Sequence, residues 1–145
     1  MAITTSVICN SFKKQLLEGT HNFSSGSGNS FKLALYTNSA TLGKSTTSFT
    51  TDNQVSNTGQ YTSGGGALTN GGTSLSTNTA IIDFADRSFT GVTLTARGAL
   101  IYNDTASGDP AVCVLDFGGD KSASAGTFTI QFPAFTSSAA IIRIT

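Results

Sequence analysis

The side chains that could do chemistry are few. The chain has one histidine, His21, one glutamate, Glu18, two cysteines, Cys9 and Cys113, and seven aspartates. A Ser-His-Asp system would need an activated serine, yet no Gly-x-Ser-x-Gly elbow exists. His21 itself follows a helical stretch, where a cap or surface role is expected. Glycoside hydrolysis needs two facing carboxylates. Glu18 sits in the helical stretch, and the aspartates fall mainly in turns or at strand ends. Zinc would need more than one histidine and two distant cysteines. Asp104 and Asp109, and Asp116 and Asp120, place carboxylates around turns, the ligand type a calcium site uses. Neither set has the EF-hand spacing, and an aspartate in a hairpin turn ordinarily caps its own backbone. No metal or other cofactor is therefore assigned.

Two glycine motifs suggest phosphate binding and fail on context. GKST at Gly43–Thr46 follows a strand-like run, but the phosphate-loop pattern wants a glycine where Asn38 stands. The residues after it, TTSFTTDN, do not open a helix, so no helix N-terminus faces a phosphate. SGGGALTNGG (63–72) has no strand-to-helix context either and reads as a surface loop.

Arg97 is the remaining charged group of interest, within GVTLTARGALIYND (91–104). On one strand, Val92, Leu94, Ala96, Gly98, Leu100 and Tyr102 share an apolar face. The other face changes from polar (Thr93, Thr95) to apolar (Ala99, Ile101), with Arg97 at the change. Gly98 is a candidate bend or bulge. A partly buried arginine needs an anionic or carbonyl partner. Asp83 and Asp116 lie inside strand-like AIIDF and VLDF, which is unusual for aspartate. Pairing of Arg97 with one of them is the expected brace. A contact across a subunit interface is the second reading, and a ligand site the third.

The elements that must position these groups are mostly strands. FKLALY (31–36) alternates as a strand, and AIIDF (80–84), VTLTA (92–96), ALIYN (99–103), VCVLDF (112–117), TFTIQF (127–132) and AIIRI (140–144) have strand composition. ADRS, DTASGDP, GGDKSASAG and the Pro133 stretch read as the turns between them. The stretch 37–70 reads as loops and short strands, pinned by Leu42, Phe49, Val55, Tyr61 and Leu68. One helix is expected at Asn10–Glu18, capped by Asn10 or Ser11 and ended by Gly19. The fold class is therefore all-β: a β-sandwich or jelly roll of about seven to eight antiparallel strands with one short N-terminal helix.

Composition excludes several functions. Charged residues are 11% of the 145, and the formal net charge is zero. The basic residues are dispersed and lack an aromatic-plus-basic strand face, so nucleic acid is not an expected partner. No apolar run approaches the ~18 residues of a membrane helix. The start, MAITTSVICNSFKK, has its positive charges after the apolar patch and does not read as a secretory signal. Synthesis in the cytoplasm and free, buried thiols are expected, with a disulfide left open. Near-zero charge also favours self-association.

The strings SFKKQLLEGTHNF, FKLALYTNSATL, LTARGALIYN, AVCVLDFGGDKSASAGTFTIQFP and AIIRI resemble small structural proteins of tailed bacteriophages. The likeness runs from Ser11 to Ile144 and is loosest over about 37–75. TARGALIYN and VLDFGGDK are its most specific parts. The resemblance implies a non-enzymatic virion protein that decorates or cements the capsid surface, with no catalytic residue to carry over. It implies the major capsid protein shell as partner, and a homotrimer by analogy with proteins at shell symmetry axes. A tail- or fibre-associated module that binds host glycan is the alternative, and a depolymerase stands behind it. In this reading residues 1–23 form an arm and 24–145 the body. Ile3, Val7, Ile8, Phe12, Leu16 and Leu17 are then the candidate assembly contacts. The competing reading makes Ala2–Cys9 the first edge strand of the sandwich.

Overall fold

The computed structural model describes residues 3–145. Its spine is a hairpin of two long strands, β6 (Arg87–Asn103, 17 residues) and β7 (Ala111–Ile130, 20 residues). VTLTA and ALIYN are thus one strand. GGDKSASAG, expected as a turn, lies within β7: Lys121, Ser122, Ala123 and Gly126 pair with β6, and residues 118–120 bulge out between pairings. Small hydroxyl residues hold the two strands together there: Thr95 Oγ1 and Ser122 Oγ lie 2.7 Å apart, and Ser88 Oγ and Thr129 Oγ1 lie 2.8 Å apart. Surplus residues are absorbed as register shifts instead of a reversal, including one between Ala96 and Gly98. Such shifts are β-bulges, which keep a ladder going while bending it.

Five strands form the larger sheet in the order β1–β7–β6–β2–β3. Here β1 is Val7–Ile8, β2 is Phe31–Tyr36 and β3 is Gly66–Ala67. The smaller sheet has the order β4–β5–β8, with β4 Asn70–Ser76, β5 Thr79–Phe84 and β8 Ile142–Ile144. All pairings are antiparallel. The chain is an all-β sandwich with one short helix. The hairpins β4–β5 and β6–β7 each stay within one sheet.

Strand alternation sets what covers each face of the larger sheet. Phe31, Leu33 and Leu35 stand opposite Asn103, Ile101 and Ala99 and share one face with them. Phe84 of the smaller sheet closes on that face, its ring 5.7 Å from Phe31, and Phe23 stacks on Phe31 at 4.4 Å. The opposite face carries Tyr36 and Tyr102. The 37–61 excursion covers it: Phe49 stacks on Tyr102 at 4.7 Å, and the Tyr36 hydroxyl donates to the Thr50 carbonyl. This is why Ala99, Ile101 and Asn103 are as buried as Leu100 and Tyr102. The apparent change of face at Arg97 marks where β6 passes beneath a second cover.

The helix α1 spans Asn10–Leu17. Its N-cap is Cys9, without a side-chain cap bond, so neither Asn10 nor Ser11 plays that part. The preceding strand fixes the start instead: Cys9 N–H donates to the Val112 carbonyl and Asn10 N–H to that of Lys44. The end is a Schellman motif, with Gly19 at φ 75°, its N–H bonded to the Leu16 carbonyl and the Thr20 N–H to that of Gln15.

The division at residue 23 is corrected by the packing. Ile3, Cys9, Phe12, His21 and Phe23 are all buried, four of them in the same hydrophobic core as the body's strands. Val7 and Ile8 pair with Val114 and Cys113. Segment 3–23 is therefore an integral edge strand and covering helix. An apolar run beside an open strand edge gains more by pairing and burial than by standing free. Met1 and Ala2 lie outside the described residues.

Candidate association surface

Arg97 meets Asp116, its Nε 3.4 Å from Oδ1. Asp83 lies on β5 in the other sheet, opposite Gly72, and is not Arg97's partner. The pair closes a bulge. Ala96 faces Lys121 and Gly98 faces Asp116, so Phe117–Asp120 are looped out of the β7 ladder. Asp116 Oδ1 also accepts the Gly118 N–H at 2.9 Å, and the Asp116 N–H donates to Ser6 Oγ. The Asp116 carboxylate thus pins the bulge to β6, and the Asp116 backbone N–H holds the N-terminal segment. Gly98 is required by close approach: a Cβ there would stand 2.4 Å from the Leu115 carbonyl oxygen and 2.7 Å from Ile3 Cδ1. The Arg97 and Asp116 side chains keep 25% and 14% exposure. Their pair should therefore exceed an open surface pair and fall short of a fully buried one. Arg97→Ala is expected to lower stability by about 1–2 kcal/mol. An unchanged urea midpoint would remove the bracing role.

His21 is central in a buried polar cluster. Nε2 lies 2.9 Å from Gln15 Oε1 and Nδ1 lies 3.1 Å from Asn103 Nδ2. The Asn103 amide is oriented by its own bonds: Oδ1 accepts the Thr105 and Ala106 N–H groups, and Nδ2 donates to Asn29 Oδ1. Nδ1 of His21 must then accept and Nε2 must donate, which fixes a neutral tautomer. Burial among Phe12, Phe23 and Phe31 pushes the His21 pKa below its ordinary value. The ionised groups on neighbouring elements have their own partners, Lys14 with Glu18 and Lys32 with Asp104. A depressed histidine pKa means the unfolded chain binds the proton first. Stability is fully present above the ordinary histidine value and declines as pH falls below it. Thermal midpoints are expected to drop from about pH 7.5 to about pH 5.5, with a shallower drop in His21→Gln. Parallel pH profiles for the two proteins would refute this.

The motifs read as loops take structural roles. Gly43 and Thr46 of GKST bond to each other as a closed turn. SGGGALTNGG contains β3 and the start of β4, so it is partly strand instead of surface loop. Both cysteines are free, and burial pushes their thiols up to about 11 (Cys9) and about 12 (Cys113), away from the reactive thiolate. Among the described residues no three His, Cys, Asp or Glu side chains gather at one point. Asp104 is held by Lys32 and Asp120 accepts from Asn38.

The exposed feature that stands out is aliphatic. Leu75, Ala80 and Ile144 form one cross-strand row over β4, β5 and β8. The next row on that face is Thr73, Ile82 and Ile142, whose isoleucines lie in the core. The outer row is therefore the core face of the smaller sheet carried past its cover. Leu75 is 71% exposed and Ile144 54%. Leu16 and Leu17 of α1 flank the row. They border a groove of about 510 Å³ with Ile142 and Ile144. Leu17 is 93% exposed, and Leu16 is half-buried.

Of the six assembly contacts expected from sequence, Leu16 and Leu17 reach this shelf. Ile8 borders the same groove while packing against the core. Ile3 and Phe12 are buried in the core, and Val7, half-buried, packs against it away from this groove. Leu75 and Ile144 had only weak sequence signals, a lone leucine among hydroxyl residues and the last alternation of AIIRI. Asn103 gave no signal at all. No protein-family model, curated protein or solved structure matches the chain.

Proposed function

We propose that this chain is a non-enzymatic structural subunit of a tailed-bacteriophage virion that decorates and cements the capsid shell. The observation that carries the reading is an aliphatic core face left open on an otherwise tightly bonded body of zero net charge. Soluble proteins seldom keep such a face uncovered unless an assembly covers it. The phage-like strings of the sequence supply the kind of assembly, with the major capsid protein as partner and a homotrimer as the oligomer on the capsid surface. The body suits a load-bearing part, because its long hairpin is bonded along both strands and its loops are pinned by aromatic stacking. The glycan-binding alternative has less support. The hydroxyl-rich groove along Thr4, Thr5 and Thr41–Ser48 has no aromatic side chain in its lining to stack on a sugar ring.

Heads assembled with and without the protein provide the test. Decorated heads should hold their DNA to a higher temperature and through a stronger osmotic shock. Copy number should run to hundreds per particle. Equal robustness, or a dozen copies located at the tail, would refute the cementing role.

A further inference from the structure

We propose that the Leu16–Leu17–Leu75–Ile144 shelf seats a second copy of this same chain. The row Leu75–Ala80–Ile144 lies in register across three strands and has the orientation of the core row beside it. Its side chains are aliphatic, so what covers it must present an aliphatic face. A second shelf is such a face, present at equal concentration whenever the protein is made.

The charges around the shelf permit this match. Arg143 lies between Ile142 and Ile144 and borders the groove, but its guanidinium is turned away, with Nη1 donating to the Ser137 carbonyl at 3.0 Å. On α1, Lys14 and Glu18 form a neutral i,i+4 pair, Nζ to Oε1 3.0 Å. A pair carrying both signs is self-complementary, since Lys14 of one copy can face Glu18 of the next. Lys13 at the margin is turned towards Asn10 Oδ1, 3.4 Å away. With zero formal net charge, two copies approach without long-range repulsion. A surface that pairs with its own kind makes a two-fold contact, so the shelf joins chains in pairs and is separate from the three-fold contact of a homotrimer.

Sedimentation of the purified full chain over a dilution series tests the proposal. The unaltered protein is expected to show a mass of two or more chains. Leu17→Asp and Ile144→Asp each weaken association by about 30-fold or more, the effect of losing an interface anchor. Both side chains are largely exposed, so circular dichroism and the thermal transition should stay as in the parent. A parent that is monomeric throughout would overturn the proposal. An oligomer indifferent to both substitutions would do the same. If the parent is monomeric alone, and Leu17→Asp abolishes its binding to heads, the shelf faces the shell instead. That outcome would leave the decorating function standing.

Discussion

Gly65→Ala is expected to leave the chain unfolded. Gly65 has φ +82°, a region that costs an L-residue about 1–2 kcal/mol. The larger cost is steric. A Cβ at this position would lie 1.9 Å from the Leu33 carbonyl oxygen and 2.7 Å from Ala34 Cα, both backbone atoms of β2. Relief requires β3 to part from β2. That would break the Leu33–Gly66 register and move Gly64, whose carbonyl accepts the Tyr102 hydroxyl. The sum exceeds about 4–5 kcal/mol, a large part of the stability of a domain this size. The expected result is insoluble protein, or soluble protein without a cooperative thermal transition. Gly43→Ala is the control, because nothing lies within 4 Å of its added Cβ. A folded Gly65→Ala with a parent-like midpoint would mean that β3 does not lie against β2 as described.

Asn103→Ala has the second largest expected effect, about 3–4 kcal/mol. The amide is fully buried and serves four partners: His21 Nδ1, Asn29 Oδ1 and the N–H groups of Thr105 and Ala106. Truncation leaves these groups without their mates, and a buried unmet polar group costs about 1–3 kcal/mol. Partial exposure of the Thr105 and Ala106 amides keeps the total below the simple sum. Asn103→Asp separates hydrogen bonding from packing. Its carboxylate still accepts from the two amides and now favours a charged His21. The histidine pKa should rise, and its contribution to stability should then grow as pH falls from about 7 to about 6. Urea titrations at several pH values measure both effects. An Asn103→Asp slope of the parent's sign would sink the account of this cluster.

The strands were legible because apolar residues alternate in FKLALY and form short apolar, β-branched runs in AIIDF and VCVLDF, and the helix because Gly19 ends an amphipathic run. The absence of a paired-carboxylate or elbow motif was equally plain. GGDKSASAG misled, since glycine and serine mark turns in isolation yet also sit well in a bulged ladder whose partner strand supplies hydroxyl bonds. The N-terminal run misled differently. Its apolar residues suit a gripping arm or an edge strand equally, and the open edge of β7 decided between them. Arg97 could be assigned a carboxylate partner from its context, but choosing Asp116 over Asp83 required the pairing of β6 with β7.

By itself the sequence determined an all-β body, one short helix, a surface without net charge, and a poverty of groups able to do chemistry. These follow from local periodicity and composition, which a linear chain carries in full. Tertiary structure alone decided that 37–61 covers the second face of the larger sheet, that Asn103 anchors a buried polar cluster, and that Leu75 joins Ile144 and Leu17 in one open shelf. Each of these depends on strand register and on which face is covered. Such contacts are made between residues far apart in the chain, where no local pattern records them.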